Sequence, residues 1–347
     1  MRLRASARVF AFSAASLIVA FLPFGNAAST APVYHLVRKV TLGGAGGWDY
    51  FAVDPDTSHV FIPRGSHIMV SDSEGKPVAD IPNAHGVHAI AFAPDLKRAF
   101  LSAEHAAEIL DTATLQVLRD VQIPGRDPDA ILYDPASKRV FTFNGRGGND
   151  ATAIDAETGK LLGSVPLGGK PEFARADGSG RIYVNVEDKN QIVEFDSKTL
   201  KVLNTWPIDP CNEPSGLAID VVNKRLFAGC HNQLMAVVDY TNGKVVATIP
   251  IGKGVDANRF DAGTGLAFAS CGDGTITVAH QDSPDKYTVV QTIATQRGAR
   301  TMALDTKSHN VYTVTAEFGP PPPATKENPH PYPSVISKTF TLLIFGK

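Results

Sequence analysis

Positive charge, cysteine and long apolar runs are all scarce in this chain. Its 347 residues hold 33 Lys and Arg against 35 Asp and Glu, with no basic cluster. Arg2, Arg4 and Arg8 all stand at the N-terminus, so the remainder is acidic by about five charges. That balance argues against a surface that tracks phosphates, and no nucleic-acid partner is expected. One apolar run, Val9 to Phe24, approaches spanning length. Ser13, Ser16 and Pro23 interrupt it, and it falls short of the ~20 apolar residues a membrane helix needs. Basic residues precede it and Gly25-Asn26-Ala27 follow it, the pattern of a secretory signal over residues 1–27 cleaved after Ala27. The expected product, residues 28–347, is a periplasmic or secreted protein without a transmembrane segment, and a monomer.

Signatures of nucleotide chemistry and of nucleophilic catalysis are missing too. No Gly-x-Ser-x-Gly elbow occurs, and Ser215 in Pro214-Ser215-Gly216 has no assigned base. No Walker pattern is present, and Gly43-Gly44-Ala45-Gly46-Gly47 reads as a turn rather than a phosphate cradle. Nothing resembles a haem or quinone site. Helical periodicity is nearly absent beyond the N-terminal run.

What the chain does have is a repeat. Seven times, an apolar strand ends in a turn and a second strand with a central aromatic follows. The turn anchors are Asp54, Ala93, Asp134, Asp177, Asp220, Asp261 and Asp305, at spacings of 39, 41, 43, 43, 41 and 44. The aromatics are Phe61, Phe100, Phe141, Tyr183, Phe227, Phe268 and Tyr312. Such a period means units that bury their apolar faces only against one another. Each unit reads as four short strands, clearest between Leu217 and Ile249, where Asp239-Tyr240-Thr241-Asn242-Gly243-Lys244 supplies a tight turn. Four-strand units around a ring predict an all-β, seven-bladed propeller. The last unit has only three strands, near 301–304, 310–315 and 339–345. Val37 to Gly43 carries the fourth-strand pattern and is expected to close that blade.

The unit resembles the YVTN-repeat, YncE-like propellers of exported bacterial proteins. The resemblance covers nearly the whole mature chain. It rests on the inner-strand/aspartate/aromatic-strand repeat, on Asp-x-x-Thr-Gly-Lys turns such as 155–160, and on Ala-Thr-Ile-Pro-Ile-Gly at 247–252. The signature tetrapeptide is never intact; Val140-Phe141-Thr142-Phe143-Asn144 and Tyr183-Val184-Asn185 come nearest. The resemblance implies a seven-bladed propeller and no single activity, so function has to come from a site.

Aligning the repeats names that site. Five residues before the anchors stand Asp49, His88, Asp129, Glu172, Ser215, Asp256 and Arg300, polar in every blade and expected at the channel mouth. Trp48, His85, Arg126, Asp127, Glu213, Asn258 and Arg297 neighbour them. A second ring is expected just past the second strands: Arg64, Glu104, His105, Asn144, Glu187, His231, Asp273 and Glu317, with Arg146 beside Asn144. A wet channel mouth is polar by default. Four carboxylates on one ring also repel one another unless something positive joins them, and Arg300 alone offsets this in part. A divalent metal is therefore a candidate cofactor. Calcium would use oxygens of Asp49, Asp129, Glu172 or Asp256; zinc would favour a set that includes His88.

The three cysteines predict one disulfide and one free thiol. Cys211 lies in the loop leading into the fifth unit, and Cys230 ends the strand beside that unit's first, so Cys211–Cys230 is expected. Cys271 is left over. A proline-rich insert at 319–334 interrupts the last unit and is expected on the ring face, as a solvated loop or as a partial lid carrying Tyr332. The functional expectation is a non-catalytic propeller binding a protein partner or a small ligand at this face. The alternative is a metal-assisted, lactonase-like hydrolase or a lyase using the ring carboxylates.

Overall fold

The computed structural model describes residues 33–347 apart from 45, 146, 327–330 and 332. The expected signal segment, Arg146 and Tyr332 lie outside the described residues, as does the His85 side chain.

Seven four-stranded antiparallel sheets form a ring. The inner strands are Ala52–Val53, Ala89–Ala93, Pro128–Asp134, Pro171–Ala176, Pro214–Asp220, Val255–Asp261 and Met302–Leu304. Each contacts the inner strand on either side, and the last contacts the first. Ring closure is made by both chain ends. His35–Thr41 pairs antiparallel with Thr341–Gly346, which pairs in turn with Val311–Thr315 and so with Met302–Leu304. The outer edge of Thr341–Gly346 is therefore covered, which limits the aggregation-prone edge of blade seven.

Local chemistry explains why the anchors are aspartates. The Asp54 carboxylate accepts from the Asp56 amide and the Thr57 hydroxyl, and Asp134, Asp220, Asp261 and Asp305 do the same for the residues after them. These side chains are buried, so each turn brings its own partners for a charge that would otherwise be costly to bury. Blade two, with Ala93, uses a different device: a 3-10 turn over Pro94–Leu96, ended by Lys97 in the left-handed region.

The seven repeat aromatics are all buried, and they join the blades to one another. Phe61 meets Phe92 of the next blade edge-on at 5.1 Å, Phe141 meets Phe195 at 5.3 Å, and Phe227 stacks on Phe260 at 5.0 Å. Tyr34, just before the closing strand, packs edge-on against Phe268 at 5.2 Å. Such pairs add about 0.5–1.5 kcal/mol each beyond their burial.

Candidate functional site

Six of the seven positions in the predicted first ring line one cavity of about 940 Å³: Asp49, Asp129, Glu172, Ser215, Asp256 and Arg300. His88, the seventh, lies between Asp49 and Asp129. Its Nδ1 is 2.9 Å from Asp49 Oδ2 and 3.7 Å from Asp129 Oδ1. These three residues offer ligand atoms within 4.8 Å of one another, the grouping a small cation needs.

The second ring divides. Glu187, His231 and Asp273 reach the cavity. Arg64 does not: it is 1% exposed, and its guanidinium donates to the carbonyls of Gly43, Gly46 and Gly47 while lying 3.5 Å from the Phe340 ring centre. Asn144 is also buried, donating to Asp150 Oδ1 and Thr152 Oγ1. Glu104, His105 and Glu317 are exposed side chains away from the cavity. Ends of neighbouring strands can turn a side chain up to the mouth or down into the blade, and the repeat alone does not say which.

The cavity also holds residues that the repeat alignment did not single out. Tyr50, Lys170 and Lys253 line it, as do Phe318, Pro321, Pro322, Ala324, Pro331 and Pro333 of the insert and its flank. The described part of the proline insert thus borders the cavity. Its two legs are held by a bridge between Phe318 and Val335 and by the Gly319 amide on the Ser334 carbonyl. Trp48 lies against Phe318 and Phe340, at 6.1 and 5.3 Å, and seats the insert's flank on blade seven.

Tyr50 reaches across the channel beside the ring. Its ring meets Phe173, from blade four across the channel, edge-on at 4.7 Å, and its hydroxyl donates to the Asp256 carbonyl at 3.1 Å. Burial drives the Tyr50 phenol well above its ordinary range, so it stays a neutral donor. Tyr50 and Phe173 thus meet across the channel next to the first ring.

Charge within the cavity is unbalanced. Six carboxylates (Asp49, Asp129, Glu172, Glu187, Asp256, Asp273) face four fixed cations (Lys170, Lys253, Arg297, Arg300). Lys170 bonds Glu172 and Glu187 together. Even so, burial, with Asp129 and Glu187 nearby, holds the Glu172 carboxyl above its usual range. Burial and then Asp49 push Asp129 up to about 6. Burial does the same to Asp256, against the pull of Arg300 at 3.8 Å. Asp256 Oδ2 is buried with no hydrogen-bond partner. The His88 imidazole is raised by its hydrogen bond to Asp49. Burial is the first cause for the three carboxyls, and the neighbouring carboxylates add to it.

The disulfide is where the strand placement put it. Cys211 and Cys230 are bonded, with Cα atoms 5.4 Å apart, and tie the loop leading into blade five to its second strand. Cys271 is free and buried, its thiol pushed up to about 12 chiefly by burial, which leaves it unreactive.

No family model and no curated protein matches the chain. Among solved structures, it is similar to Kuenenia stuttgartiensis hydrazine synthase, with a TM-score of 0.67 and 14% identity, over 78% of this chain and 92% of that one. At that identity the likeness bears on the fold, a β-propeller, and the YVTN/YncE-like resemblance stays a resemblance.

Proposed function

We propose that this chain is an exported binding protein that takes a small ligand with a positively charged group into the bowl at the propeller mouth. The observation that carries the reading is the bowl itself: a cavity of about 940 Å³ lined by more carboxylates than cations and by prolines of the insert. That volume suits a small molecule, since ligand sites run about 300–1,000 Å³. The bordering insert favours a small ligand over a docked protein surface. Asp49 and Asp129, with His88 between them, are the natural seat for the charge, and Asp256 Oδ2 offers a second. The disulfide suits an oxidising compartment, and among the described residues no helix is long and apolar enough to cross a membrane.

The Asp49–His88–Asp129 grouping favours a second reading, in which the positive charge is a divalent metal and the bowl a hydrolytic or lyase site. Equilibrium dialysis with Ca²⁺, Zn²⁺ and spermidine as separate probes tests the shared claim and divides the readings. Stoichiometric uptake of at least one probe is expected. Metal uptake accompanied by lactone hydrolysis would favour the enzyme; uptake without turnover favours the binding protein. Retention of none of the three would overturn both.

A further inference from the structure

Beneath the Tyr50–Phe173 contact the channel changes character. Two residues before the anchors stand Ala52, Ala91, Leu132, Arg175, Ala218, Arg259 and Ala303. Five blades place a small or aliphatic side chain there, and two place a guanidinium. Arg175 is two residues further along its inner strand than Phe173, so it lies about 7 Å deeper, away from the mouth. Arg259 belongs to blade six, with blade five between it and Arg175. Both nevertheless converge on one ring: their guanidinium carbons are 4.6 and 5.3 Å from the Phe173 centre.

Two like charges drawn to one aromatic ring repel each other, and, after burial itself, Arg259 lowers the Arg175 pKa accordingly. Among the described residues no carboxylate is ion-paired to either. Arg259 donates to the neighbouring Asn258 carbonyl, and the Arg175 side chain has no hydrogen bond within the same set. Both keep accessible surface. Burial, with Arg259 beside it, pulls Arg175 well below the ordinary guanidinium range, and burial lowers Arg259 to about 10. What this arrangement lacks is an anion. Guanidinium groups present paired N–H donors in a plane, which matches the spacing of oxygens in a carboxylate or a phosphoryl group.

We propose that Arg175 and Arg259 form an oxyanion site in the lower channel, for a carboxylate or phosphoryl group entering from the face opposite the mouth. The Tyr50–Phe173 contact lies between this site and the bowl. The two arginines hold the anion between blades four and six, with Phe173 behind them.

Thermal unfolding at fixed ionic strength tests this, with inorganic phosphate and malonate as probes and chloride as the reference. One or both probes should raise the melting temperature of the wild type above the chloride value. Phosphate alone would assign a phosphoryl group, and malonate alone a carboxylate. Arg175→Gln and Arg259→Gln should each lose that anion-dependent shift, and in chloride should melt no lower than wild type because the repulsion is relieved. Lys39→Gln, on the outer closing strand, should keep the shift. No shift in the wild type, or an unchanged shift in both Gln variants, would overturn the proposal. Should the Gln variants fail to fold, phenylglyoxal modification of the wild type decides. Phosphate or malonate should protect Arg175 and Arg259 in peptide mapping, and equal modification with and without anion would overturn the site.

Discussion

At the residue scale, burial separates side chains that the sequence makes look alike. Arg64 and Arg300 both occupy aligned positions around the mouth, yet only Arg300 faces the cavity. Arg64 satisfies three carbonyls of the glycine-rich loop and caps Phe340. That loop follows a path only glycine takes easily: a Cβ at Gly46, where φ is +96°, would stand 2.3 Å from the Arg64 carbonyl oxygen. Arg64→Ala should therefore cost about 3 kcal/mol in chemical denaturation, from orphaned carbonyls and lost packing. Arg64→Lys should recover little, because one ammonium cannot span the three acceptors. An unchanged denaturation midpoint in Arg64→Ala would contradict this account of the loop.

At the element scale, the outer strands show one blade solving a problem that another leaves open. In blade four, Glu194 lies opposite Asn204, which donates to it at 2.6 Å. In blade two the equivalent pair is Glu108 opposite Asp120, two acids directly across the strands. Burial and then Asp120 push Glu108 up to about 7, and its Oε2 has no hydrogen-bond partner. A carboxyl raised in the folded state contributes stability that is fully present below its unfolded pKa and is lost as pH rises through about 7. Asp120→Asn, which installs the blade-four arrangement, should raise stability by on the order of 1 kcal/mol at pH 8 and by much less at pH 5. Equal effects at the two pH values would contradict the like-charge explanation. The turn aspartates Asp111 and Asp155 behave oppositely. Hydrogen bonds from Thr114 and Thr158 hold them below the usual range, so their contribution is present above the unfolded pKa and is lost as pH falls through the depressed folded value.

At the scale of the whole molecule, the ring depends on a strand from the far end of the chain. His35–Thr41 is mostly exposed, so its role is to cover the edge of Thr341–Gly346 more than to fill the core. Deleting residues 33–41 should expose that edge and remove Tyr34 from Phe268, giving soluble aggregates on size exclusion and a lower melting temperature. A monomer with unchanged melting would show that closure is dispensable. Closure was legible in sequence because the fourth-strand pattern appears before the first repeat, and the blade count because each turn needs an aspartate, or its substitute at Ala93. The first ring was legible for the same reason: alignment places equivalent residues at equivalent depth. Lys170 and Lys253 escaped it because they come from loops outside the aligned positions. Tyr50 escaped because its partner, Phe173, lies three blades away, and a repeat register carries no information about contacts across the channel. The Arg175 and Arg259 pair was visible in the same register, two residues before the anchors, as the only charges in an otherwise apolar set.

A bowl that receives positive charge should reveal it in calorimetric titration at two pH values. Asp129 and Asp256 are both raised to about 6, so they ionise between pH 5 and 7.5. Zn²⁺, Ca²⁺ or spermidine should bind the wild-type protein with one-to-one stoichiometry at pH 7.5 and at least tenfold more weakly at pH 5. The Asp49→Asn/Asp129→Asn double variant should lose that binding at pH 7.5 while still unfolding cooperatively. Absence of binding by all three probes at pH 7.5, or equal affinity in the folded double variant, would show that the bowl is not a site for positive charge.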